Sequence, residues 1–502
     1  MRSFDGKLLI NGKWVAASNG ATEEIKSPFN GNVAGIAAVA TLTDVESAIA
    51  SAVKGAEVWR RTPAHQRSAI LMKAAALADE RSEEIAQIIS SENGKSLLEA
   101  RGEAGRSGEI IRLGAFEGSQ LYGTSLPLDA NKGTGQEKLG FTLRQPVGVV
   151  VAISPFNYPA LLVLHKLAPA LGSGNSVVLK PARATPLTAL ALAQCFTDAG
   201  LPDGVLNVIT GAGGELGDAL VSDPRVRKIS FTGSTATGTH ISRIAGVKKL
   251  SLELGASSPV VVLPDADLDL AADQAINAGF GSAGERCMAI SALVAVEPVA
   301  DELIKKIVER MSKLKTGDGS QDADMGPLVT AVHRDKVASY VETGVKEGAK
   351  LVVDGRNPQV NGAANGFWLG PTLFDNVTPE MTIYKDEIFG PVLSVIRVKS
   401  YDEGLALINS HRYGNGTAIF TNDGGAARRF QYEVNVGMVG INVPIPVPTA
   451  YYSFGGWKSS LFGDTHAHGT EGIHFFTRGK VVTSRWLDPS HGGINLGFPQ
   501  NR

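Results

Sequence analysis

Apolar and polar positions follow two rhythms along the chain. In the N-terminal part the rhythm is helical. Residues 43–60 and 66–92 are rich in alanine with apolar positions at helical period, 97–119 predicts a further helix, and Asn93-Gly94 reads as a stop for the second. Ahead of them, Leu8-Leu-Ile-Asn-Gly-Lys-Trp-Val predicts a hairpin turning on Asn11-Gly12. From 147 onward, short unbroken apolar runs alternate with helical stretches. Residues 147–154, 176–180, 205–209 and 228–232 read as buried strands; 159–171, 186–199 and 214–222 read as helices, with another starting near Thr235. This βαβα alternation predicts a parallel, doubly wound sheet, which binds ligands beyond the carboxyl ends of its strands. Lys180, Gly233 and Ser234 fall at such ends, and Asn157 falls shortly after one.

A second α/β region is expected over 256–465, with strands at 260–263, 293–296, 392–396 and 418–420. Segment 122–146 has few helical signals and holds Gly133, Gly135 and Gly140, so it reads as a strand excursion from the first region. In the tail after 466, Lys480-Val-Val-Thr-Ser reads as an edge strand, and long edges invite pairing with another subunit.

Composition narrows the function classes. With 502 residues, 43% apolar and 20% charged, the chain is a globular protein of two or three domains. A net charge of −2 offers no basic footprint for nucleic acid. The N-terminus lacks a secretory apolar core and no apolar run reaches about 18 residues, so no membrane partner and a cytoplasmic location are expected. Two cysteines exclude a disulfide framework, and no CxxC or HExxH pattern supports a metal site.

Cys195 lies in an apolar helical stretch and reads as packing. Cys287 is different. It ends Phe280-Gly-Ser-Ala-Gly-Glu-Arg-Cys, where glycines allow close backbone approach and Arg286 is a cation able to favour a thiolate. Glu253, in Leu252-Glu-Leu-Gly, supplies a separate carboxylate; sulfur plus base is what an acyl-enzyme mechanism requires. Taken singly, Cys287 also fits a buried small apolar residue and Glu253 a paired carboxylate at a strand end.

In chain order, Pro155-Phe-Asn-Tyr-Pro, Lys180-Pro-Ala, Phe231-Thr-Gly-Ser-Thr, Glu253-Leu-Gly, Gly284-Glu-Arg-Cys and Glu387-Ile-Phe-Gly-Pro resemble the aldehyde dehydrogenase superfamily. The resemblance covers nearly the whole chain. It implies a Rossmann-type cofactor domain (1–121 and 147–255), an α/β catalytic domain (256–465), and a small β oligomerisation arm with the tail (122–146 and 466–502). It implies that Cys287 attacks an aldehyde, that Asn157 and the Cys287 amide hold the oxyanion, and that Glu253 activates the water that hydrolyses the thioester. For NAD or NADP it implies contacts from Ile153, Ser154, Pro155, Phe156, Lys180, Ala182, Arg183, Gly213, Gly217, Phe231, Thr232, Gly233, Ser234, Leu254, Gly255, Glu387 and Phe389. Gly233-Ser-Thr-Ala-Thr-Gly opens a helix after a strand, where free amides suit a phosphate. Arg183 departs from the glutamate that many NAD-preferring relatives carry, which leaves NADP open. A homodimer or homotetramer is the implied assembly.

The branch is mixed. Asn442-Val-Pro-Ile-Pro-Val-Pro, Ser453-Phe-Gly-Gly-Trp-Lys, Phe462-Gly-Asp, Lys480-Val-Val-Thr-Ser-Arg-Trp and the run around Cys287 resemble methylmalonate-semialdehyde dehydrogenases, which pass the acyl group to coenzyme A. In that branch Arg106 and Arg286 match arginines that hold a substrate carboxylate. Leu252-Glu-Leu-Gly and 148–211 instead resemble hydrolytic members, and Glu253 favours water as the acceptor. The expected reaction is oxidation of an aldehyde, small or bearing an anionic group, to the free acid. A CoA-acylating semialdehyde dehydrogenase and an aryl aldehyde dehydrogenase are the alternatives. A non-catalytic protein on the same fold is disfavoured by Cys287, Glu253 and Asn157 occurring together.

Overall fold

The computed structural model describes residues 3–130, 132, 138–321, 323–447, 450–452, 454–463 and 469–486. Gly133, Gly135, Pro448, Ser453, Asp464 and the tail from 487, all named above, lie outside the described residues.

Five parallel strands form the middle of the first sheet, in the spatial order Leu206–Val208, Ser176–Lys180, Val149–Ile153, Val226–Thr232 and Lys249–Glu253. The order reverses between Val149–Ile153 and Val226–Thr232, which makes the crevice beyond their carboxyl ends the binding position of this architecture. Both sheet faces are covered. Val150, Ala152, Val177 and Leu179 enter one apolar core while Val149, Val151 and Val178 enter the other, as a two-residue repeat requires. The Leu8–Ile10 and Lys13–Val15 hairpin extends one edge through a turn with Asn11 and Gly12 at φ 51° and 72°. Leu461–Phe462, from late in the chain, pairs antiparallel on the opposite edge with Leu252 and Glu253.

The helical segments divide more finely than their periodicity suggests. Ala64–Glu80 and Ser82–Asn93 are separate helices broken at Arg81, and the second stops at Gly94 with φ 89°. The 97–119 stretch splits into Leu97–Ala104 and Ser107–Ser119 around Gly105. Two buried carboxylates tie this layer to the first sheet. Glu92 accepts the Leu187 and Thr188 amides, both at 2.8 Å, at the start of helix Leu187–Asp198. Glu103 accepts the Ala160 and Leu161 amides at the start of helix Leu161–Gly172 and pairs with buried Lys95. Each satisfies donors that a helix N-terminus leaves open.

The second sheet has seven strands, in the order Lys350–Val353, Thr372–Asp375, Val392–Val398, Ile290–Val296, Ser258–Val262, Gly416–Phe420 and Met438–Ile441. All are parallel except Lys350–Val353. A third, three-stranded sheet joins Thr477–Arg485, Lys138–Pro146 and Ser125–Leu126, leaving Thr477–Arg485 at an edge. No helix among the described residues is long and apolar enough to cross a membrane.

Candidate active site

Cys287 lies three residues before Ile290, the first residue of strand Ile290–Val296, and so at the amino end of the second sheet. The turn leading to it is strained. Ser282, Ala283 and Gly284 have φ of 49°, 52° and 72°, a left-handed run that costs the two non-glycine residues about 1–2 kcal/mol each. Gly284 must be glycine, because a Cβ there would lie 2.3 Å from the Gly390 carbonyl oxygen. Glu99 holds the turn: its carboxylate accepts the Ser282 amide at 2.7 Å and hydroxyl at 3.1 Å, and meets the Arg286 guanidinium at 2.8 Å. Cys287 packs against an apolar cluster of Met288, Met438 and Phe454.

The Cys287 thiol is pushed up to about 12, first by burial and then by the charges of Glu253 and Glu387; the amides of Cys287 and Met288 oppose this. This corrects the expectation that Arg286 favours a thiolate. Arg286 adjoins Cys287 in sequence, but the turn directs its fork to Glu99 and Ser282, and carboxylates dominate the field at the sulfur. Cys195 is buried, donates to the Ala191 carbonyl and is pushed up to about 11, as a packing cysteine should be.

Glu253 ends strand Lys249–Glu253 and is buried. Its charge also reaches Lys166, which projects from helix Leu161–Gly172 and donates to Thr232 Oγ1 at 2.7 Å. Burial lowers Lys166 to about 8, and the Glu253 charge offsets part of that. Lys166, Ser230, Thr232, Ser251, Glu253 and Phe454 line one cavity. Lys166 was not among the sequence-derived candidates, although a lysine within the apolar run Leu161-Leu-Val-Leu-His-Lys-Leu-Ala was a readable signal.

Asn157 is buried in the loop after Val149–Ile153. Its neighbours are anchored from several directions. Asn93 donates to the Phe156 carbonyl at 2.9 Å, and Lys95 lies 3.6 Å from the Tyr158 ring centre. Phe156 meets Phe389 edge-on at 5.7 Å, so two segments far apart in the chain share one wall. Phe389 has φ 59°, and His333 Nε2 lies 2.7 Å from its carbonyl oxygen. Burial lowers His333, which favours a neutral ring donating from Nε2. Glu387 accepts the Ala256 amide at 2.9 Å and is pushed up to about 7 by burial.

The crevice at the order reversal suits a dinucleotide. Ser154 Oγ is buried with no partner among the described residues, at the end of the central strand. Lys180 is buried, donates to the Gly211 carbonyl at 2.9 Å, and is lowered to about 8, mainly by burial. Gly233 and Ser234 lead into helix Thr235–Ile244, with Ser234 accepting from the Thr237 amide as N-cap. Gly238 packs against Leu254, where a Cβ would meet Leu254 Cδ2 at 2.2 Å. Gly255 sits against Thr235 and Glu387. Gly213 and Gly217 face open space on the neighbouring helix Gly214–Ser222. Ile153, Thr232 and Phe231 end the two strands that flank the reversal, and Pro155 follows the first. Ala182 and Arg183 follow Lys180, and Arg183 pairs with Glu23 at 2.6 Å.

The two arginines expected from sequence to hold a substrate carboxylate are not equivalent. Arg286 is held by Glu99. Arg106 is exposed, with its Nε 3.2 Å from the Gly102 carbonyl oxygen in the break between two helices.

The family model for the aldehyde dehydrogenase family matches residues 14–482. The chain belongs to the aldehyde dehydrogenase family. It is 46% identical to a malonate-semialdehyde dehydrogenase of Pseudomonas aeruginosa over 98% of both chains. It is similar to the crystal structure of a Sinorhizobium meliloti protein that carries a provisional methylmalonate-semialdehyde dehydrogenase name and is complexed with NAD. That match has a TM-score of 0.91, 43% identity, and coverage of 96% of this chain and 98% of the other. An NADP-dependent glyceraldehyde-3-phosphate dehydrogenase from Bacillus halodurans, complexed with NADP, matches with TM-score 0.91 and 37% identity over 96% and 99%. The protein is therefore an NAD(P)-dependent aldehyde dehydrogenase.

Proposed function

We propose that the enzyme oxidises a short aldehyde bearing a carboxylate, of the malonate-semialdehyde class, to the free acid, with water as acyl acceptor. The single observation carrying the choice of water is that Glu253, at the end of strand Lys249–Glu253, lines a cavity walled by Phe454, a member of the apolar cluster against which Cys287 packs. A carboxylate at that position can first take the thiol proton and later take one from water.

Cys287 Sγ, once deprotonated, attacks the carbonyl carbon and the carbonyl oxygen becomes an oxyanion. Asn157 and the Cys287 amide are the donors proposed for it; losing one such donor costs about 3–4 kcal/mol of barrier. A bound NAD(P) would supply the hydride acceptor for this carbon, leaving the acyl group on Cys287 as a thioester. Glu253, having passed the thiol proton to solvent, then removes a proton from water as the water oxygen attacks, the C–S bond breaks, and the Cys287 sulfur takes up a proton. Lys166 lines the same cavity as Glu253 and donates to Thr232 Oγ1 at 2.7 Å.

The carboxylate-bearing substrate is supported by the 46%-identical malonate-semialdehyde dehydrogenase. Recognition by Arg286 would exchange Glu99 for the substrate carboxylate, one anion for another. Coenzyme A as acceptor is the second reading, favoured by the C-terminal motifs. Coenzyme reduction measured with malonate semialdehyde and with neutral alkyl and aryl aldehydes, each with and without coenzyme A, tests the proposal. Preference for malonate semialdehyde and turnover without coenzyme A are expected; strict dependence on coenzyme A would refute water as acceptor.

A further inference from the structure

We propose that Glu23, on an N-terminal hairpin outside the βαβ units, makes this enzyme prefer NAD over NADP. In doubly wound folds the end of the strand next to the central one faces the adenosine ribose. A carboxylate there accepts ribose hydroxyls, whereas an arginine receives a 2′-phosphate. That strand here is Ser176–Lys180, and it runs on into Pro181, Ala182 and Arg183 with no acid. Judged from this segment alone, the site is built for a phosphate.

Tertiary structure supplies the missing carboxylate. Glu23 Oε2 accepts from Arg183 Nε at 2.6 Å, and Glu23 Oε1 is buried with no partner among the described residues. The Glu23 charge also acts on Lys180. The two members of the pair differ in freedom: the Arg183 side chain is 65% exposed and the Glu23 side chain 17%. Glu23 is fixed by its strand, Thr22–Lys26, which pairs with Val33–Ala38. That hairpin is docked on the nucleotide sheet. Ala40 donates to the Thr210 carbonyl at 3.0 Å, and Thr210 Oγ1 donates to the Ala38 carbonyl at 2.5 Å. Gly35 lies so close to Leu187 that a Cβ would fall 2.6 Å from its Cδ1.

Two effects then act in the same direction. The free oxygen of Glu23 can accept a hydroxyl of NAD, and its charge repels the 2′-phosphate of NADP. Arg183, the group able to receive that phosphate, is already neutralised.

The test is direct titration of NAD and NADP, without aldehyde, into wild type, Glu23→Gln, Arg183→Gln and the double variant. Wild type should bind NAD more tightly. Glu23→Gln should shift the NADP-to-NAD affinity ratio toward NADP by about tenfold or more, and the double variant should lose most of that gain. An unchanged ratio in Glu23→Gln, or a wild type that already prefers NADP, overturns the proposal. Because no aldehyde is present, the result does not depend on the substrate or acyl acceptor proposed above. Thermal midpoints of the four proteins, expected to agree closely, separate selectivity from folding.

Discussion

The Glu253 carboxylate raises the proton affinity of the Cys287 thiol, although Glu253 ends a strand of the first sheet and Cys287 precedes a strand of the second, 34 positions on. The proposed nucleophile is therefore held as a thiol within the field of the proposed base. Replacing Glu253 with glutamine removes a negative charge, so the apparent pKa of Cys287 alkylation should fall. Burial persists, so it should stay above the ordinary thiol value of about 8.5. Iodoacetamide labelling against pH, with Cys195 as the buried internal control, measures this. An unchanged profile would mean the two groups do not interact.

Glu99 should matter to turnover without entering the chemistry. It stitches the left-handed turn before Cys287 through Ser282 and Arg286. Glu99→Ala frees that turn, and kcat should drop by roughly tenfold or more as the sulfur loses its fixed position. Coenzyme affinity should change little. Steady-state kinetics with a direct coenzyme titration checks both. Equal activity in the variant would show that Gly284 packing alone suffices.

Coenzyme binding should weaken on mild acidification. Glu387 is pushed up to about 7, so its acceptor form is present above that pH and is lost below it. If it accepts a coenzyme hydroxyl, the dissociation constant should rise several-fold from about pH 8 to about pH 6. Glu387→Gln should flatten that dependence. Titrations across this range in wild type and variant decide it.

Stability should depend on the buried Lys95–Glu103 pair. Removing Lys95 as Lys95→Met leaves Glu103 charged and buried beneath the Asn157 loop, at a cost of about 3–5 kcal/mol. A lowered unfolding midpoint in denaturant, with some loss of activity from the loosened loop, is expected. A wild-type midpoint would show that the two helix amides alone satisfy Glu103.

Much of this was legible in sequence because local rules were obeyed. Unbroken Val-rich runs became the central parallel strands, since burial on both faces leaves no polar alternation to hide them. Asn11-Gly12 turned where expected. Cys287, Glu253, Asn157, Glu387 and Phe389 stand out as candidates because their short motifs occur in order along the chain. What sequence did not disclose is carried by long-range pairing. Glu99 reaches the cysteine turn across 183 positions, and Glu23 reaches Arg183 across 160. Neither partner can be read from neighbours in the chain. Arg286 shows the same limit in reverse: it adjoins Cys287 in sequence yet points to Glu99. The breaks at Arg81 and Gly105 were also missed, because apolar periodicity continues through both.

The central claim is that Cys287 carries an acyl group that Glu253 releases to water. Intact-mass spectrometry of Glu253→Gln, mixed with malonate semialdehyde and coenzyme, tests it most directly. The predicted result is a single burst of reduced coenzyme, about one per site, with an acyl adduct on Cys287 that persists and is absent from Cys287→Ser. Sustained wild-type turnover by Glu253→Gln, or a burst with no adduct on Cys287, would contradict the account.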